Sequence, residues 1–251
     1  MDPSGVISKD KFDAVLFDLD GVLTATASIH AACWKEMFDD FLRRYSEKSG
    51  EAFRPFEIET DYRFYVDGRR RFEGVRNFLE SRGIHLEEGE PNDPPSRETI
   101  CGLGNRKNDM VNEEIRSKGV KPFAGSVALV RHLREAGLKT AVVSASANCQ
   151  TVLEGAGIAD LFDVQMSIDS VRKYKPHPDT YRSGAERLGI PITDMRLVAA
   201  HDWDVTGAIR AGATAGFVAR SGMVLSHASE SPDVIGRDLD AVVSEILRID
   251  G

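Results

Sequence analysis

The chain is predicted to be an α/β protein: a doubly wound, Rossmann-like parallel sheet core with an inserted helical cap domain. Short apolar runs without polar alternation recur at residues 12–19, 138–143, 162–166, 196–200 and 215–218. Such runs mark strands buried on both faces of a parallel sheet. Helical patterns separate them at 126–136, 148–156, 178–188 and 205–211. Strand–helix alternation of this kind implies right-handed crossovers and a ligand site at the carboxyl ends of the strands. One stretch breaks the rhythm, since from about residue 28 to 120 the chain carries helical patterns and few strand signals.

The first strand is Ala14-Val15-Leu16-Phe17, and it runs out into Asp18-Leu19-Asp20-Gly21. Within the insertion, Ala32, Met37, Phe38 and Phe41 fall at helical spacing, and 72–79 and 99–115 behave alike. The segment 91–95, with Asp93 among prolines, is a loop. The expected domains are therefore a core of 1–27 with 121–251 and a cap of 28–120. No internal repeat or low-complexity tract interrupts either. At 251 residues, 41% hydrophobic and 29% charged, the chain fits one domain plus a modest insertion. A chain this long buries about three quarters of its unfolded surface, so neither disulfides nor a structural metal are needed.

The 32 basic and 40 acidic residues give a net charge of −8, which argues against nucleic acid or an anionic membrane surface as a partner. Cys33, Cys101 and Cys149 have no CxxC spacing, which suits a reducing cytoplasm better than a disulfide or zinc framework. The first ten residues lack a signal-peptide core, and no run of about 18 apolar residues predicts a membrane span.

Asp18 and Asp20 stand where a buried strand meets a glycine. Two carboxylates so placed can divide the work: one attacks, and the other, carried by the turn at Gly21, moves a proton. The run Phe17-Asp18-Leu19-Asp20-Gly21-Val22-Leu23-Thr24 resembles the first motif of the haloacid dehalogenase-like superfamily of aspartate-nucleophile hydrolases. Val143-Ser144-Ala145-Ser146 resembles its phosphate-binding serine motif, and Lys175-Pro176 followed by Pro178 its lysine motif. The resemblance implies an aspartyl-phosphate on Asp18. Ser144 and the loop through Ala145, Ser146 and Asn148 would hold the phosphoryl group, and Lys175 would neutralise its charge. Asp20, as general acid and then base, contributes about 10²–10⁴-fold in such chemistry. In relatives Mg²⁺ is bound by the nucleophile's carboxylate, the carbonyl two residues on and a fourth-motif aspartate.

The segment Thr24-Ala25-Thr26-Ala27-Ser28-Ile29-His30 with Trp34-Lys35 resembles the hinge of β-phosphoglucomutases and related sugar phosphatases. That likeness puts Thr26 in the hinge and His30 at a substrate-side position. Gly68-Arg69-Arg70-Arg71 and Asn105-Arg106-Lys107-Asn108-Asp109 resemble two cap segments of the same enzymes, which implies substrate contacts for Arg71 and Lys107. Ala147 replaces a lysine of the Ser-Ala-Ser-Lys-Asn loop, removing a charge for a second phosphate and favouring a phosphatase over a mutase.

The fourth motif departs from the pattern. Leu188-Gly189-Ile190-Pro191 and Ala211-Gly212 fix a frame that places the usual Gly-Asp pair on Ala199-Ala200 and the later aspartate on Asp204. Asp202 is two residues out of frame. From about residue 172 the chain resembles the 2-haloacid dehalogenases instead, through Tyr174-Lys175-Pro176 with Tyr181 and His201-Asp202-Trp203-Asp204-Val205-Thr206-Gly207-Ala208. The tail Phe217-Val218-Ala219-Arg220 with Gly222-Met223-Val224 continues that likeness. Those enzymes need no metal, and Asp204 matches their carboxylate associated with the hydrolytic water. They lack an aspartate at the Asp20 position, however, and this chain lacks their first-motif tyrosine.

The favoured expectation is a phosphatase of a small sugar-like phosphate, monomeric or homodimeric, with Mg²⁺ on Asp18, Asp20 and either Asp202 or Asp204. The alternatives are a metal-independent 2-haloacid dehalogenase, a β-phosphoglucomutase-like mutase, and a catalytically silent phosphate-binding hybrid. Trp34 is expected to pack within the cap and Trp203 to wall the site. His85, His132, His177 and His227 show no ligand spacing, and Cys149 reads as a buried small residue.

Overall fold

A computed structural model describes residues 12–219, 230–239, 241 and 242. Arg220, Gly222, Met223, Val224 and His227 lie outside them. In chain order the elements are β1 (Ala14–Phe17), α1 (Ala27–Ser49), α2 (Arg71–Ser81), α3 (Ile100–Lys118), α4 (Ala124–Glu135), β2 (Lys139–Val143), α5 (Cys149–Gly155), β3 (Val164–Met166), α6 (Pro178–Leu188), β4 (Met195–Ala199), α7 (Asp202–Ala211), β5 (Thr214–Val218) and β6 (Val234–Gly236). The chain forms two compact units, one running through Ala25 and resuming at Val120, the other Thr26–Gly119.

The first unit is built on a six-stranded sheet of order β3-β2-β1-β4-β5-β6, with every pairing parallel. All four residues of β1 are buried, which is why that strand reads as an unbroken apolar run. Phe17 registers with Val142 on one side and Val198 on the other. The strand order reverses at β1, so its carboxyl end opens at the topological switch point where α/β sheets bind ligands. Leu16, Val143, Leu197 and Phe217 share one core with Tyr181, Leu188 and Val205 of α6 and α7. α6 starts with Pro178 in its first turn and stops at Gly189, whose φ of 70° is open to glycine without Cβ strain.

The predicted strand at 162–166 is shorter, because Ala159–Leu161 forms a 3₁₀ turn ahead of β3. The helix expected at 205–211 starts earlier, at Asp202, with Asp202 and Asp204 in the first turn, where negative charge favours a helix N-terminus. Strand β6 was not foreseen; it has three residues at the sheet edge, only Val234 buried, too short for a periodic signal.

The second unit holds α1, α2, α3 and a π-helical segment at Ile58–Val66. Its core is aromatic. Phe38 meets Phe78 at a ring-centroid distance of 4.3 Å, Phe56 at 5.0 Å and Trp34 at 5.3 Å. Trp34 thus packs as expected. No helix among the described residues is long and apolar enough to cross a membrane.

Candidate active site

Beyond Phe17 the backbone keeps sheet geometry for one more residue, with Asp18 N donating to Val198 O at 3.0 Å. It then closes a tight turn. Gly21, at φ 80°, donates its N–H to Thr24 O at 2.8 Å, and the amides of Leu23 and Thr24 both donate to Leu19 O. Because β1 ends before the turn, Asp18 is buried at the strand tip and Asp20 is half-buried on the loop.

Asp18 is fixed from three directions. Leu19 N donates to Oδ1 at 2.8 Å, Lys175 Nζ donates to the same oxygen at 2.9 Å, and His201 Nδ1 lies 2.7 Å from Oδ2. Burial alone would raise this carboxyl, yet the Lys175 ammonium and the His201 imidazole outweigh it and hold Asp18 far below the usual carboxylate range. Lys175 also reaches Asp204 Oδ1 at 2.7 Å, and that oxygen accepts from Tyr181 Oη at 2.8 Å. Burial would lower the lysine, but the two carboxylates override it and keep the ammonium charged. Asp204 shows the opposite balance. Burial and the Asp18 charge lift it to about 6 against the pull of Lys175 and His201. Its Oδ2 is buried and has no hydrogen-bond partner.

His201 was not singled out from the sequence. It immediately precedes α7, directly after Ala199-Ala200, and its ring stacks on Trp203 at 4.5 Å and 16°. Trp203 therefore walls the site through His201. A histidine two residues beyond the end of a strand paired with β1 is the signal that locates it.

Ser144 follows β2 on the same sheet edge as Asp18, two residues past the Phe17–Val142 pair. Its Oγ accepts from Ser146 N at 3.0 Å, and Ser146 Oγ accepts from Asn148 N at 3.1 Å. Asn148 is buried, and Ala145 and Ser146 are half-buried. Cys149 is buried and its thiol is pushed up to about 12, chiefly by burial, so it is no nucleophile at neutral pH.

The remaining expected contacts lie in the second unit. Lys107 Nζ sits 2.8 Å from His30 Nδ1 and 4.8 Å from the centroid of the Trp34 ring. Burial and the Lys107 charge push His30 well below its usual value, so the ring is neutral and Nδ1 accepts from the ammonium. Its Nε2 is buried without a partner. Arg71 Nη2 donates to Asn105 Oδ1 at 3.3 Å.

The donor set tests the expected Mg²⁺. Among the described residues, the ligand-type side chains that converge within 4.8 Å are Asp18, His201 and Asp204, and that of Asp202 is outside this group; the resemblance asks Asp20 for its carbonyl, not its side chain. Mg²⁺ demands near-octahedral oxygen coordination. Here Asp18 Oδ2 faces an imidazole, Asp204 Oδ1 is shared by an ammonium and a phenol, and the in-frame positions are the buried methyls of Ala199 and Ala200. These side chains do not offer the octahedral oxygen set that the expected magnesium ion requires.

Residues 12–212 match the family described as haloacid dehalogenase-like hydrolase. A β-phosphoglucomutase of Mycobacterium bovis is 48% identical over 187 residues, covering 72% of this chain and 71% of its own. An (S)-2-haloacid dehalogenase of a Pseudomonas species is 32% identical over 242 residues, covering 93% of this chain and 94% of its own. The solved structure of a β-phosphoglucomutase from Clostridium difficile superposes with a TM-score of 0.72 at 20% identity, over 95% of this chain and 96% of that one.

Proposed function

The chain belongs to the haloacid dehalogenase-like hydrolases, and from that membership we propose that it hydrolyses a small, sugar-like phosphate monoester through a phosphoryl intermediate on Asp18. The observation that carries this is the state of Asp18: buried at the tip of β1, with one oxygen fixed by Leu19 N and Lys175 Nζ and the ionised form favoured. A carboxylate so held is a preorganised nucleophile. Its oxygen attacks phosphorus, the bond to the leaving oxygen breaks, and Asp20 gives that oxygen a proton. Asp20 then takes a proton from water, which attacks phosphorus and releases phosphate and free Asp18.

Ser144 supports the reading because its oxygen already accepts from Ser146 N–H, which leaves its own hydroxyl proton to donate to a phosphoryl oxygen. Lys175 supplies the fixed positive charge. By the family resemblance, His30, Arg71 and Lys107 of the second unit are assigned to substrate recognition. Hydrolysis is favoured over a mutase reaction because Ala147 offers no cation for a second phosphate.

One observation favours a second reading. The Lys175–Asp204–Tyr181 network next to a nucleophile without a magnesium cage suits attack on carbon, and with it 2-haloacid dehalogenation. A panel of phosphate monoesters, including p-nitrophenyl phosphate and hexose phosphates, run beside 2-chloropropionate separates the two. The expected result is phosphate release that falls more than about 10³-fold in Asp18→Asn. Chloride release without phosphate release would replace the first reading with the second. Turnover that survives Asp18→Asn would overturn both.

A further inference from the structure

We propose that His201 is a positioning residue that occupies the face of Asp18 open to a divalent cation, so that the site works with the Lys175 ammonium and takes no magnesium. The inference deepens the hydrolase reading and rests on Asp18 being the attacking group.

Four features support it. His201 Nδ1 stands 2.7 Å from Asp18 Oδ2, the oxygen that Lys175 and Leu19 leave open. The imidazole is held there by its place at the start of α7 and by stacking on Trp203. In the register of the sheet, Val198 lies beside Phe17, so the chain passes Asp18 at Ala199 and Ala200, whose buried methyls offer no ligand. Lys175 Nζ lies within 3 Å of one oxygen each of Asp18 and Asp204, so a cation already bridges the two carboxylates. A divalent ion would have to displace the imidazole or sit against that ammonium, at a cost in charge repulsion in a buried site. His201 therefore acts by fixing the rotamer of Asp18, since a misplacement of about 1 Å at a reacting group can cost about 10²-fold in rate.

Two measurements test this on the full chain. Mn²⁺, a spectroscopic stand-in for Mg²⁺, is titrated into the wild-type protein and followed by electron paramagnetic resonance. No stoichiometric binding is expected up to about 1 mM. In parallel, turnover of the phosphate panel is measured with and without EDTA for wild type, His201→Ala and His201→Asn. The wild-type rate should be unchanged by EDTA. His201→Ala should lower kcat by up to about 10²-fold while leaving KM nearly as it was. His201→Asn, which keeps a side-chain N–H donor, should restore most of that loss; a merely structural role would not produce this pattern. One Mn²⁺ bound per chain, turnover abolished by EDTA, or an unchanged kcat in His201→Ala would each overturn the proposal. A wild-type protein that turns over no phosphate ester defeats the phosphatase reading instead, while the Mn²⁺ titration still decides the cation claim.

Discussion

Asp204 has no exposed surface and shares its single ammonium with a second carboxylate. Asp18 has a backbone amide, Lys175 and His201 on its two oxygens, whereas Asp204 has Lys175 and the Tyr181 hydroxyl on one oxygen and the His201 imidazole no nearer than 4.0 Å from the other. On acidification the proton therefore goes to Asp204 first, near pH 6. The protonated form of a carboxyl with a raised pKa persists to higher pH, so ionised Asp204, and its grip on Lys175, is lost as pH falls through that value. Turnover should show an acid limb there. The Tyr181 hydroxyl donates to the ionised form and stabilises it, so Tyr181→Phe should move the limb to higher pH by about half a unit to one unit. A pH–rate profile checks this; an unmoved limb, or one shifted to lower pH, would contradict it.

The sequence pointed to Asp18 and Lys175 because each sits in a recognisable run at a strand or loop boundary. Between Asp202 and Asp204 it could not choose. On α7 they are about 200° apart around the axis, which leaves Asp202 half-buried and sends Asp204 fully into the core. His201 escaped notice because a lone histidine after a strand has no spacing to mark it; only the register of β4 with β1 brings it to Asp18.

The packing of α6 against α7 sets how well this network is held. Gly207 faces Tyr181 so closely that an added Cβ would lie 2.3 Å from ring atom Cε2 and 2.6 Å from Pro176 O. The glycine is needed for approach rather than for backbone freedom. Gly207→Ala must therefore push the Tyr181 ring aside, an overpacking cost of about 1–3 kcal/mol. Urea denaturation should show that loss, and the acid limb should shift in the same direction as in Tyr181→Phe. Unchanged stability would mean that the two helices are not in this contact. Such a requirement is invisible in sequence, where Gly207 is merely a poor helix former inside a helical pattern. The same limit hid β6, whose three residues carry only one buried side chain.

Across the molecule, the parallel sheet was legible because strands buried on both faces leave apolar runs, which fill β1 and close β2 at Ala141-Val142-Val143 and β4 at Leu197-Val198-Ala199. The second unit was legible only as helical. Its π-helical segment is held by features with no periodic trace, such as Arg82 reaching Asp61 at 2.6 Å and Asp61 Oδ2 accepting from Glu57 N at 2.9 Å. The two halves of the sequence pointed toward different reactions, and the first unit shows how they join: the strand that supplies Asp18 and the segment that supplies Lys175, His201 and Asp204 meet at one sheet edge. That union is tested most directly by acid-quenching the enzyme during turnover of its best phosphate ester and mapping the covalent adduct by mass spectrometry. An Asp20→Asn variant given p-nitrophenyl phosphate, whose leaving oxygen departs without a proton, loses only the activation of water and should let the adduct accumulate. The account predicts a phosphoryl group on the peptide that contains Asp18; a turning-over enzyme that carries its adduct on another residue, or carries none in either form, would contradict it.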